Sequence, residues 1–150
     1  MSRAIVEVFS AAGVEPQVEL ARVERALSEV LEAEGMHEAT LSIAYLADSE
    51  IAEMNERFLG HDGPTDVISF ALHEPGDAPH GDIYVGAHQA TRQAAELGIL
   101  PAEEWLRLAI HGTLHVLGYD HADDALRTDS PMYLRQEALL TQVLAGGDAL

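Results

Sequence analysis

The chain contains no cysteine and no lysine, few aromatic residues (5%), and no apolar run long enough to span a membrane. Without cysteine there can be no disulfide, and any metal ligand must be nitrogen or oxygen. The first residues show no basic stretch followed by an apolar core and cleavage site, so the expected compartment is the cytoplasm, with no membrane partner. All eight basic residues are arginine, against 26 acidic ones, and the formal net charge is −18. Such a surface favours solubility and repels phosphate. A nucleic-acid partner would therefore need a local positive patch, or recruitment by another molecule.

Apolar residues make up 47% of the 150 positions, which suits a single packed domain spanning residues 1–150. A chain of this length buries roughly two-thirds of the surface that it exposes when unfolded. Ile5 to Phe9 is a short β-branched run and reads as a strand. Pro16 suits a first helical turn, and Leu20, Val23, Leu27, Val30 and Leu31 recur at helical spacing up to Gly35. From Thr40 to Leu46, Leu41, Ile43 and Tyr45 alternate as on a half-buried strand. Asp48 is placed to cap a short helix reaching Phe58, followed by a polar turn into a strand ending near Phe70. A Pro- and Gly-containing loop separates this from a strand over Gly81–Val85. Helices over Ala87–Leu97, from Pro101 through the histidines, and from Pro131 complete the order. The expected class is α+β, close to α/β, with a small mixed sheet covered by helices.

Chemistry concentrates in His111-Gly112-Thr113-Leu114-His115-Val116-Leu117-Gly118-Tyr119-Asp120-His121. On a helix, His111 and His115 lie one turn apart on one face and can reach one ion. Gly118 tolerates the left-handed conformation that ends helices, so the chain can turn back and deliver His121 to the same point. Three neutral imidazoles leave the fourth position of a tetrahedral zinc open, the pattern of a catalytic rather than a structural site. Metzincin peptidases share this spacing, but Gly112 stands where they carry the glutamate base, which argues against peptide hydrolysis.

The stretch closely resembles the H-G-x-L-H-L-x-G-Y-D-H signature of the YbeY family, metal-dependent single-strand endoribonucleases of ribosomal RNA maturation. A second segment, Met54-Asn55 through Pro64-Thr65-Asp66-Val67-Ile68-Ser69-Phe70, resembles that family's L-N-x-x-Y-R-G-x-x-x-P-T-D-V-L-S-F. Leu59 replaces the arginine that usually precedes the glycine, a natural group for binding phosphate. Arg57 is the nearest substitute, though a two-residue offset on a helix points it elsewhere. Gly81-Asp82-Ile83 is similar to a family strand motif, with Asp82 either a strand-end residue or part of a groove near the metal. Met132, Gln136 and Glu137 resemble the M-x-x-x-Q-E of the family's last helix.

The resemblance implies a zincin-like metal-binding helix and a zinc-dependent nuclease acting at the 3′ end of small-subunit ribosomal RNA and in ribosome quality control. Its implied partners are single-stranded or ribosomal RNA, the small ribosomal subunit and its assembly factors. The expected ligands are His111, His115 and His121 for one zinc per chain, with Asp120 and Asp66 as candidate catalytic carboxylates. Asp120 also has a competing role as a partner that orients a ligand histidine. Two other readings are a ribosome-assembly factor with a structural zinc and a metallopeptidase-like hydrolase of another substrate class.

Overall fold

The computed structural model describes residues 3–119 and 130–146. Four strands, β1 (Arg3–Ser10), β2 (Glu38–Leu46), β3 (Val67–Ala71) and β4 (His80–Gly86), form one sheet in the order β1-β2-β4-β3. β1 pairs parallel with β2 and β2 parallel with β4, whereas β3 runs antiparallel to β4 on the far edge. The sheet is therefore mixed, as the sequence predicts. The helices are α1 (Leu20–Ala33), α2 (Asp48–Leu59), α3 (Ala87–Leu97), α4 (Pro101–Val116) and α5 (Pro131–Ala145). Among the described residues, no helix is long and apolar enough to cross a membrane.

The strand alternation decides which face is covered. Val8, Leu41, Ile43, Tyr45, Ile83 and Val85 share one face by register and enter the main core with Val23, Leu27 and Leu31 of α1 and Trp105, Ile110 and Leu114 of α4. Tyr45 stacks on Trp105 with ring centroids 4.3 Å apart, and its hydroxyl donates to the Trp105 carbonyl. The opposite face carries Leu46, Asp82, Tyr84, Ile68 and Phe70, and α2 lies across it, with Phe58 edge-on to Phe70. Asp82 thus lies on the sheet face away from the main core, between Ser42 and Phe70.

Two helix starts differ from expectation. α1 opens at Leu20 rather than near Pro16, because Val14 and Val18 are buried and hold the intervening chain in an irregular path. Asp48 is the first residue of α2, not its cap. Ala47 takes the cap position and donates its N–H to Glu50 Oε1, while the Asp48 carboxylate accepts two bonds from Arg92. The hydrogen bonds from Arg92 lower the Asp48 pKa, against a smaller opposing effect of burial.

Candidate metal centre

Among the described residues α4 is the longest helix, and it runs along β3 and β4 with α3 and α5 at its sides. Pro101 sits in its first turn with Glu103 and Glu104, an arrangement that suits the helix dipole. Near its other end, His111 and His115 lie on consecutive turns with ring centroids 5.5 Å apart, and both are half-buried. Gly112, between them, faces the sheet. A Cβ built there would lie 2.5 Å from Ile83 Cγ2 and 3.3 Å from Ser69 Oγ and Val67 Cγ2. The glycine is thus explained by close approach of helix to strand.

The helix ends as the sequence predicts. Gly118 adopts φ +104°, Tyr119 N–H donates to the Leu114 carbonyl and Gly118 N–H to that of His115. These two bonds form a Schellman motif, which satisfies carbonyls of the last turn and reverses the chain. The reversal is pinned on its far side, where the Tyr119 hydroxyl donates to Glu34 Oε1 at 2.6 Å and Arg135 donates twice to Glu34 Oε2. The hydrogen bond to Glu34, and secondarily burial, raise the Tyr119 pKa. Asp120 and His121 lie outside the described residues. Among the described residues, no three histidine or carboxylate side chains gather around one point, so His111 and His115 supply two donors of the expected set.

The seam between α4 and α5 carries a polar chain that leads to His111. Glu104, Arg107 and His111 lie on one stripe of α4, three and four residues apart. Arg107 donates to Glu104 Oε1 (2.7 Å) and to both carboxylate oxygens of Glu137 (2.9 and 3.0 Å). Gln136 Nε2 donates to Glu137 Oε2 at 2.9 Å, and Gln136 Oε1 lies 2.6 Å from His111 Nδ1. Burial alone would raise the Glu137 pKa. The hydrogen bonds from Arg107 and Gln136, with the arginine charge, outweigh it and hold the carboxyl below its ordinary range.

Gln136 and Glu137 stood out in the sequence only as part of a motif, without a role. The i, i+3 and i+4 spacing of Glu103, Glu104 and Arg107 was legible as a local ion pair, but no sequence signal connects Arg107 to Glu137, 30 residues later.

Asp66 opens β3. Its Oδ1 accepts from Val67 N–H at 2.8 Å and its Oδ2 from Gln93 Nε2 at 3.4 Å, so the carboxylate braces the turn into the strand. Arg57 lies over the Phe58 ring, 5.5 Å from its centroid, and lines a cavity of about 310 Å³ with Glu53, Met54 and Tyr84 on the α2 side of the sheet. This is the face opposite α4. Leu59 is half exposed at the end of α2. His73 bonds to the His80 backbone within its loop, and Met132 is buried in the core.

A four-stranded mixed sheet backed by a helix with paired histidines, closed by a glycine turn, defines a small α+β class with one candidate metal centre. The family model for Endoribonuclease YbeY matches residues 11–144. The chain is 41% identical over 138 residues to Endoribonuclease YbeY of Exiguobacterium sp., covering 83% of this chain and 85% of the relative. It is 43% identical over 136 residues to Endoribonuclease YbeY of Moorella thermoacetica, covering 83% and 86%. The solution structure of a Thermotoga maritima protein superposes with a TM-score of 0.68 at 27% identity, covering 94% of this chain and 90% of that one. The chain belongs to the YbeY family.

Proposed function

We propose that this protein is a zinc-dependent endoribonuclease that cleaves single-stranded RNA during ribosomal RNA processing. The observation that carries the reading is the pair His111 and His115 on consecutive turns of α4, followed by the glycine turn that reverses the chain two residues before Asp120. Relatives named endoribonucleases, similar over most of their length, support the substrate class.

The donors fit a zinc ion. Imidazole nitrogens half-buried at the mouth of a helix seam are its ordinary protein ligands, and no thiolate competes for a softer metal. His111, His115 and His121 would hold it. When bound, the ion supplies Lewis acidity that makes water nucleophilic near neutral pH and offsets charge on the phosphoryl oxygens. The chain must orient the attacking water and take its proton. Asp120, adjacent in sequence to His121, and Asp66, whose oxygens accept from Val67 N–H and Gln93 Nε2, are the two carboxylates proposed for this task. Position 112 points at Ile83, so no side chain there could serve as a peptidase base.

The test combines metal content with cleavage of an unstructured RNA and of a peptide, with and without chelator. About one zinc per chain, chelator-sensitive RNA cleavage and no peptide cleavage are expected. His115→Ala should stay folded, because its neighbours already form a core of their own, but lose both zinc and cleavage. Unchanged zinc in that variant would sink the ligand assignment, and equal cleavage would point to a contaminating nuclease. Salt-dependent association with small ribosomal subunits, without any cleavage, would favour an assembly factor.

A further inference from the structure

We propose that Gln136 is a positioning residue that locks His111 in the Nδ1–H tautomer, so that Nε2 carries the lone pair for metal, and that Glu104, Arg107 and Glu137 exist at this seam to enforce that choice. The inference rests on the reading of His111 as a metal ligand and deepens it, since neither Gln136 nor the ion cluster touches the ion itself.

Donor and acceptor capacities fix each link from Arg107 to His111. Arg107 is always protonated and can only donate. It places two parallel N–H bonds on Glu137, at 2.9 and 3.0 Å, and a third on the buried Glu104. Glu137 is thereby kept ionised, and an ionised carboxylate can only accept. The end of the Gln136 amide that faces Glu137 must therefore be its NH2 group, which fixes the amide with Oε1 toward His111. An amide oxygen can only accept, so at 2.6 Å the His111 Nδ1 must carry the proton. The tautomer of the histidine is thus dictated, through Glu137 and Gln136, by an arginine four residues before it.

The arrangement has a second consequence. Arg107 faces Glu104 and Glu137 directly and Glu103 at 3.4 Å, so the cluster around it is net negative and adds attraction for a cation at the neighbouring ring. Structural ion pairing alone would need neither the amide nor its bond to the ring. Gln136 is buried, and spans from the cluster to the histidine.

The test reads the tautomer first and the metal second. In the metal-stripped wild type at pH 8, long-range nitrogen–proton NMR correlations should show His111 with its proton on Nδ1, and an Nε2–H signature would overturn the proposal. This measurement needs no variant. Gln136→Met keeps the side-chain length and removes the bond. It should give a mixed or reversed His111 tautomer and about 10- to 100-fold weaker zinc binding, read by competition with a chromogenic chelator. Glu137→Gln, which replaces an acceptor-only carboxylate by an amide able to present either end to Gln136, should show the same pattern in weaker form. Gln136→Asn, too short to bridge from Glu137 to the ring, should show the same loss as Gln136→Met. Zinc affinity unchanged in Gln136→Met would overturn the positioning role. A wild type with the expected tautomer that binds no zinc would instead overturn the metal reading and, with it, the purpose assigned to the lock.

Discussion

Replacing Gly112 by alanine sets two effects of known size against each other. Alanine in a helix interior is favoured over glycine by about 1 kcal/mol, so propensity alone predicts stabilisation. The structure predicts the reverse. The new methyl would sit 2.5 Å from Ile83 Cγ2, about 1 Å inside ordinary carbon contact, with Val67 Cγ2 and Ser69 Oγ at 3.3 Å closing the sides. Ile83 is fully buried on β4, which is hydrogen-bonded to strands on both sides, and its β-branched side chain has few alternative rotamers. The helix must lift, at a cost of about 1–3 kcal/mol for overpacking. The upper half of that range applies to such a rigid neighbour. The net is then a loss of about 1–2 kcal/mol, or a fall in Tm of about 2–8 °C for a domain of this size. Calorimetric and urea unfolding would measure it, with Ala95→Gly on the exposed side of α3 calibrating the propensity contribution. A Gly112→Ala protein more stable than wild type would refute the close helix–strand approach.

Three further outcomes are expected. Leu59→Arg, which places a guanidinium on the exposed end of α2, should raise RNA cleavage by ~10-fold, as one charge-stabilising donor typically does, and an unchanged rate discards the missing arginine as a limiting defect. The Glu137 pKa is lowered in the folded state, so the unfolded chain binds the proton more readily as pH falls. The stability from its ion pair is complete above the unfolded value, near pH 4.3, and is lost as pH drops through the folded pKa. The urea midpoint of Glu137→Gln should therefore converge on that of wild type as the pH falls below about 4.3, and a constant gap would contradict the pairing. Gly118→Ala forces a side chain into φ +104° and should cost about 1–2 kcal/mol in urea unfolding, with no change expected only if the turn can re-form elsewhere.

By itself the sequence determined the order of the elements and the local relation of the helix histidines. Alternation over Leu41, Ile43 and Tyr45, helical spacing from Leu20 to Leu31, and the glycine and proline punctuation are local signals, and local signals survive in a linear reading. The same holds for His111, His115 and Gly118, because one helical turn and one helix end set their relations, and both elements formed as read. Tertiary structure decided what depends on distant partners. The order β1-β2-β4-β3 places β3 on an edge, which no local pattern specifies. Burial of Val14 and Val18 delayed the start of α1, overriding the preference of Pro16 for a first turn. The reason for a glycine at 112 lies in the close approach of Ile83, which belongs to a strand distant in sequence. The path from Arg107 through Glu137 and Gln136 to His111 exists only because α5 packs beside α4. Hydrogen bonds between side chains 25 and 30 residues apart leave no periodicity in the chain that makes them.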